Sequence, residues 1–278
     1  MGKCTYCGEN AGFLKNSHQL CSTANSNGLR EMVSAVQKEV NSSDNPEDFI
    51  GQLRGIAERS YHPEASIHAS LIRGWSDSVE YALSDHVISV EEEDRLSNFL
   101  EKYRISKEDS DVHGAYTQLV QGAVIRELTE GNIPSIMNVE GQIPFNLQKS
   151  ESLVWIFQDV PYYEYRIRRE RVGSASGFSV PLVKGVYYHT GGFKSRHVEI
   201  SSTDHMDTGL VGITTKHIYF SGSTKSFRTP YSKIVSFEPY SDGIGIMRDA
   251  ASAKPQTFTT GSGWFVYNLV SNLSQLAS

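Results

Sequence analysis

All three cysteines of the 278-residue chain fall within its first 21 positions, and a histidine stands among them: Cys4, Cys7, His18 and Cys21. Written as a pattern this is C-x2-C-x10-H-x2-C. Three thiolates and an imidazole are a tetrahedral donor set for zinc, and ligands paired at two-residue gaps let one turn supply two corners. Gly8 follows the first pair, where a residue without a side chain lets backbone N–H groups turn toward the sulfurs. Ser17 is placed to cap a short helix that would set His18 and Cys21 one turn apart on one face. A redox Cys-x-x-Cys pair normally lies between a buried strand and a helix, which this terminus does not offer. Four protein ligands predict a structural rather than a catalytic zinc, and metal binding would supply most of the folding free energy of a segment with so little apolar content.

Over residues 3–22 the pattern resembles the treble-clef and short-finger family of zinc ribbons. The resemblance implies a module that grips nucleic acid, peptides or ubiquitin-like surfaces. Nucleic acid is disfavoured by charge: residues 1–150 carry 13 Lys and Arg against 22 Asp and Glu, a net −9, whereas residues 151–278 carry 13 against 10. Affinity for a phosphate backbone comes mainly from Lys and Arg, and the finger lacks a basic, aromatic-rich face.

Three other groups have the residue types for chemistry. Arg166, Arg168, Arg169 and Arg171 in YRIRRERVGSASG precede a Gly/Ser-rich turn, with Arg169 and Arg171 expected at the end of a first hairpin. Arg forks suit phosphate or carboxylate, and Lys184, Lys194 and Arg196 would join them from neighbouring strands as a candidate anionic-ligand or anionic-lipid site. Against that stands the use of such residues as solvated edge positions that deter aggregation, and a net +3 is far from a dense polybasic patch. Ser201, Asp204 and His205 are the types of a hydrolase but crowd one polar loop without a strand-turn-helix elbow. His197 and Glu199 would share a strand face and lack a third metal ligand. The acidic block Glu91, Glu92, Glu93 and Asp94, with Asp85 nearby, does not fit a calcium loop and is explained by the dipole of a helix that it begins.

The elements that must carry these groups change character along the chain. From Asn27 to Gly131 apolar residues recur at helical spacing. Leu29, Met32, Val33, Val36 and Val40 form one stripe; Ile50, Leu53, Ile56 and Ala57 a second after Pro46; Ile67, Leu71, Trp75 and Val79 a third. Ser89 and Glu92 make a capping box ahead of Leu96, Phe99, Leu100 and Tyr103, and Ser106 with Asp109 repeat that signal. A fifth helix over 112–130 stops at Gly131. Five helices with short loops predict a small bundle. GWSDSVEYALSDHVISVEEEDRLSNFL is loosely similar to the helical TerB-like domains of bacterial stress proteins.

After the connector GNIPSIMNVEGQIPFNLQ the pattern alternates, predicting six or seven short antiparallel strands, with SDG at Ser241 to Gly243 as a hairpin signal. The chain then closes with an amphipathic helix, capped by Ser262 and lined by Phe265, Leu269, Val270, Leu273 and Leu276, which would plug the open end of a strongly bent sheet. GLVGITTKHIYFSGSTKSFRTPYSKIVSFEPYSDGIGI resembles the GRAM and bacterial PH-like family. That resemblance implies a sandwich with Ile213, Ile218, Phe220, Phe227, Ile234 and Phe237 in its core, rarely catalytic, binding phosphoinositides, peptides or proteins.

Together these features predict an α+β multidomain chain: a zinc finger over 1–25, a helical bundle over 26–132, a connector over 133–150 and a GRAM/PH-like sandwich or barrel over 151–278. No apolar run approaches the roughly 20 residues of a membrane span, and no secretory h-region begins the chain, so the expected location is the cytoplasm. The expected function is non-enzymatic, that of a bacterial-type adaptor engaging a protein partner through the zinc finger and the PH-like domain, with anionic-lipid or phosphate-ligand binding at the Arg-rich first hairpin as one alternative and a hydrolase centred on Ser201, Asp204 and His205 as the other.

Overall fold

The computed structural model describes residues 2–42, 48–84, 87–134, 143–183 and 186–277, the side chains of 166–183 and 186–201 excepted. The chain forms two compact units, residues 1–132 and 133–278. The first opens with a small antiparallel pair, β1 (Gly2–Lys3) and β2 (Asn10–Gly12), and continues into helices α1 (Gln19–Val40), α2 (Phe49–Arg59), α3 (Ala65–Ala82), α4 (Val90–Tyr103), a single turn α5 (Lys107–Ser110) and α6 (Ala115–Thr129).

The helices start and stop where local chemistry directs them. Asp48 caps α2, accepting from the Gly51 N–H, and the Pro46 expected to start this helix lies outside the described residues. At α4 the Ser89–Glu92 capping box is complete in both directions, and Glu91, Glu92 and Glu93 occupy the positive first turn. Gly114 and Gly131, both at positive φ, bracket α6. Met32, Val36 and Val40 of α1 meet Leu53 and Ile56 of α2, Trp75 and Val79 of α3, and Leu96 and Phe99 of α4 in one buried core. The Trp75 indole N–H reaches the Leu96 carbonyl at 2.9 Å, so its buried donor is satisfied. α1 and α3 approach closely at Gly74, where a Cβ would lie 2.6 Å from Val36.

Two expectations change here. α1 is one helix of 22 residues that crosses position 25 without a break. Its buried face is Cys21, Gly28, Met32, Val36 and Val40, which turns Leu29 outward to solvent. Val112 is likewise exposed, because the last helix begins at Ala115, after the Gly114 turn.

In the second unit, β3 (Leu153–Val183), β4 (Val186–Thr214), β5 (His217–Gly222), β6 (Ser226–Pro230), β7 (Ile234–Pro239), β8 (Gly243–Arg248) and β9 (Gln256–Thr259) form a seven-stranded antiparallel sheet of order β6-β5-β4-β3-β9-β8-β7. Helix α7 (Gly263–Leu276) packs on it: Phe265 meets Trp155 edge-on at 4.7 Å and Phe157 at 5.9 Å. Ser262 precedes α7, but its side chain makes no cap, and Leu276 is exposed. Tyr162, Phe220, Phe227 and Phe258 form a second aromatic cluster with centroids 5.1–6.4 Å apart. Ile213, Ile218 and Phe220 are core as expected, whereas Phe227, Ile234 and Phe237, on the two outermost strands, are only half-buried.

The stretch before the sheet is built into it. Phe145 is buried against Tyr219, filling the space that a side chain at Gly212 would need. Glu151 is buried and takes hydrogen bonds from the Thr214 hydroxyl, the Gln148 N–H at 2.8 Å and the Tyr219 hydroxyl at 2.9 Å, with His217 Nδ1 at 2.8 Å. Burial alone would raise its carboxyl, but these partners outweigh burial and hold it below the usual carboxylate range.

Candidate metal centre

Three short elements deliver four ligand atoms to one place. A tight turn after β1 carries Cys4 and Cys7, closed by Gly8 N–H to the Cys4 carbonyl at 2.9 Å and Cys4 N–H to the Glu9 carbonyl at 2.7 Å. Gly8 stands at φ +77, a conformation that favours glycine. β2 and the loop after it return the chain to His18, and the first turn of α1 presents Cys21. The expected helix cap moves by one residue: His18, not Ser17, is the N-cap, and no side chain caps it.

The ligand atoms of Cys4, Cys7, His18 and Cys21 lie within 4.8 Å of one another, the one such group of Cys, His, Asp or Glu among the described residues. His18 Nδ1 is 3.3 Å from Cys7 Sγ and 3.7 Å from Cys21 Sγ. A tetrahedron with metal–sulfur bonds of about 2.3 Å and a metal–nitrogen bond of about 2.0 Å has sulfur–nitrogen edges of about 3.5 Å, so these two spacings fit. The other ring nitrogen, Nε2, lies 3.0 Å from the Asn10 carbonyl, which can only accept. That pairing fixes the proton on Nε2 and leaves the Nδ1 lone pair facing the sulfurs.

The thiols are electrostatically unequal. Burial pushes the Cys4 thiol up, but backbone N–H groups of Cys7, His18 and Tyr6 aimed at its sulfur prevail and bring it down to about 6. The Glu9 N–H lowers Cys7, yet burial and the neighbouring sulfurs of Cys4 and Cys21 outweigh it and push that thiol up. Such a set releases protons on binding a cation that relieves the sulfur–sulfur repulsion. Around it the apolar support is slight: Cys4, Ala11 and Cys21 are buried, with Tyr6 and Cys7 against them. By contrast Phe13, Leu14 and Leu20 are 83%, 88% and 84% exposed, and Leu14 holds a left-handed backbone at φ +57.

Tyr61, from the end of α2, also reaches the group, with its hydroxyl 3.8 Å from Cys21 Sγ. Neither Tyr61 nor the Asn10 carbonyl is signalled by the ligand spacing. One is 40 residues away in sequence and the other acts through its backbone.

The remaining candidates are placed differently. Arg166, Arg168, Arg169 and Arg171 belong to β3, and Lys194 and Arg196 to β4; their side chains lie outside the described residues, as does Lys184 altogether. The turn expected at Gly173 to Gly177 is strand, because it pairs in register with β4, Gly173 opposite Ser195 and Gly177 opposite Gly191. The two strands remain paired as far as Val183 and Val186, so Arg169 and Arg171 are within the strand and not at its end. Ser201, Asp204 and His205 likewise occupy β4 instead of a loop, opposite Ile167, Glu164 and Tyr163. Asp204 accepts from the Ser202 hydroxyl at 2.8 Å, and His205 Nε2 is 3.0 Å from Thr208 Oγ1. The side chains of Ser201, His197 and Glu199 are outside the described set. Of the acidic block, Glu92 closes the α4 cap and Glu93 pairs with Arg126 at 2.7 Å. No helix among the described residues is long and apolar enough to cross a membrane.

Compared with known families and with curated proteins, the chain matches no family model and no curated sequence.

Proposed function

We propose that the Cys4, Cys7, His18 and Cys21 group holds a structural zinc ion, and that the chain is a non-enzymatic binding protein whose finger docks a protein partner. When bound, the ion would crosslink the turn after β1 to the start of α1, and four protein ligands leave it no open position for water chemistry. The observation that carries the docking reading is the exposure of Phe13, Leu14 and Leu20 beside buried cysteines. Each such side chain is worth about 1.5–3 kcal/mol when it leaves water, and Leu14 is held outward by a backbone conformation that costs about 1–2 kcal/mol in a non-glycine residue. A finger that folds around its metal and leaves its large apolar groups outside has the anatomy of an anchor for another surface.

We read the second unit as PH-like. Support comes from the meander order β6-β5-β4-β3 on one side, β9-β8-β7 on the other, and a C-terminal helix packed on the sheet. Fold alone assigns it no ligand.

The test uses three baits: the intact protein, Phe13→Ser/Leu14→Ser, and His18→Ala. Proteins captured by the first and lost by both others support finger docking; identical captures by all three would overturn it. Zinc content of each bait, measured in parallel, should be one per chain for the first two and none for the third.

A further inference from the structure

The end of α2 is closed by a hydrogen-bond pattern that ordinarily wants glycine. His62 N–H reaches the Ala57 carbonyl at 2.8 Å and Tyr61 N–H the Glu58 carbonyl at 3.3 Å, the two bonds of a helix-terminating turn whose first residue past the cap is left-handed. That residue is Tyr61, at φ +59. A tyrosine in this conformation is strained where glycine would not be. Its side chain accounts for the choice: the hydroxyl lies 3.8 Å from Cys21 Sγ, and the ring meets Tyr6, from the turn between Cys4 and Cys7, at 6.2 Å.

The loop that carries Tyr61 is fastened to the same turns of α1 that carry Cys21. Asn25 Nδ2 donates to the Ser60 carbonyl at 2.9 Å and the Tyr61 carbonyl at 3.5 Å, while His62 Nε2 lies 2.8 Å from the Asn25 carbonyl. Gly28 lies flush against Ser60, whose Oγ would be 2.1 Å from any Cβ added there.

From this geometry we infer that Tyr61 is a positioning residue of the metal group, its hydroxyl donating to the Cys21 thiolate, so that metal retention is coupled to the docking of the Ser60–His62 loop on α1. The inference rests on the metal reading above. A hydrogen bond to a ligating sulfur stabilises the thiolate and fixes its direction, and partners of this kind change metal affinity by roughly 10–100-fold. The coupling is reciprocal: a metal that binds better with the loop docked holds the loop better when bound.

Three proteins test it: wild type, Tyr61→Phe, which removes only the hydroxyl, and Tyr61→Gly, which also relieves the backbone. Zinc affinity is measured by competition with a chromophoric chelator, and the sulfur-to-cobalt charge-transfer band is read after cobalt substitution. The expected result is a drop in affinity of roughly tenfold or more in Tyr61→Phe, with the band moved to lower energy. Tyr61→Gly should lose at least as much affinity while its α2 end exchanges backbone amides more slowly in the metal-free state. A purely structural tyrosine would not divide the two readouts in this way. Wild-type affinity and an unmoved band in Tyr61→Phe would overturn the inference and leave the metal reading intact, whereas a wild-type protein that takes up no zinc or cobalt would overturn the metal reading and this inference with it.

Discussion

If the Cys/His cluster holds zinc as proposed, stripping the metal should unfold residues 2–18 and spare the helical core. Ordering those residues costs at least about 1 kcal/mol each in backbone entropy, or about 17 kcal/mol. Against this the segment and its first α1 contact bury Ala11, Cys4 and Cys21 and cover part of Cys7, worth about 4–5 kcal/mol together. The shortfall of about 12 kcal/mol lies within the about 10–16 kcal/mol that structural zinc supplies to small fingers. Nothing else in the segment is of that size: Tyr6 is half-buried, and Phe13 and Leu14 face water. Hydrogen exchange read by mass spectrometry, with and without a strong chelator, checks the reasoning. Peptides covering 2–18 should move to the exchange rate of an unstructured chain, while those from α3, which carries the buried Trp75 and Val79, should keep their protection. Protection of 2–18 that survives complete removal of the metal would refute the reasoning, since apolar burial would then be supporting the finger.

Two further outcomes follow from the packing. Gly74→Ala puts a Cβ 2.6 Å from Val36 and 2.9 Å from the Val33 carbonyl; overpacking of about 1–3 kcal/mol exceeds the helix-propensity gain of about 1 kcal/mol, and the urea midpoint of the first unit should fall. Glu151→Gln leaves donors around a buried site with one acceptor fewer, at a cost of about 2 kcal/mol or more near neutral pH. Because the folded-state pKa of Glu151 is depressed, its contribution is present above the unfolded value of about 4.3 and is lost as pH falls through the lower folded value, so wild type and variant should converge in acid. Urea unfolding of both at neutral pH and near pH 3 measures that convergence.

What could be read from sequence depended on how local each determinant is. The Ser89–Glu92 box and the turn at Ser241–Gly243 are set within a few residues and the Cys4, Cys7, His18 and Cys21 cluster within eighteen, and all three occur where the spacing puts them. The length of α1 was not legible, because the spacing gives only a short helix at His18 and Cys21 and a helical stripe that starts after Asn27. In the fold Asn25 is a clasp for the Ser60–His62 loop and Gly28 a point of close approach, so tertiary contacts hold a helix that propensity alone would end. The Gly/Ser-rich run after Arg171 is misread for the same reason: pairing with β4 outweighs its local preference for a turn. Tyr61 gives no sequence signal at all, being an ordinary aromatic until the end of α2 brings it to Cys21.

A metal held by the Cys/His cluster would also account for how α1 can begin as it does. Its first turn contains no acidic residue, and His18 offers no side-chain cap, so four N–H groups and the positive end of a 22-residue helix lack the usual partners. As metal-bound thiolates the three sulfurs would supply the missing charge. The His18 N–H lies 3.4 Å from Cys4 Sγ, and Cys21 is part of the turn itself. With a dication bound as proposed, three thiolates would leave a net charge of about −1, which at a helix N-terminus is worth about 0.3–1 kcal/mol. Metal loss therefore removes a cap as well as a crosslink, and fraying should travel along α1 from Gln19 to the first residue the bundle grips independently. That residue is Met32, fully buried in the core, because the Asn25 and Gly28 contacts depend on a loop that Tyr61 helps to hold. Because each helix N–H bonds to the carbonyl four residues earlier, amides from Gln19 to about Ser34 should lose protection with the chelator and those from about Val36 onward should not; a boundary within a turn of Cys21 would show that the loop docks without the metal.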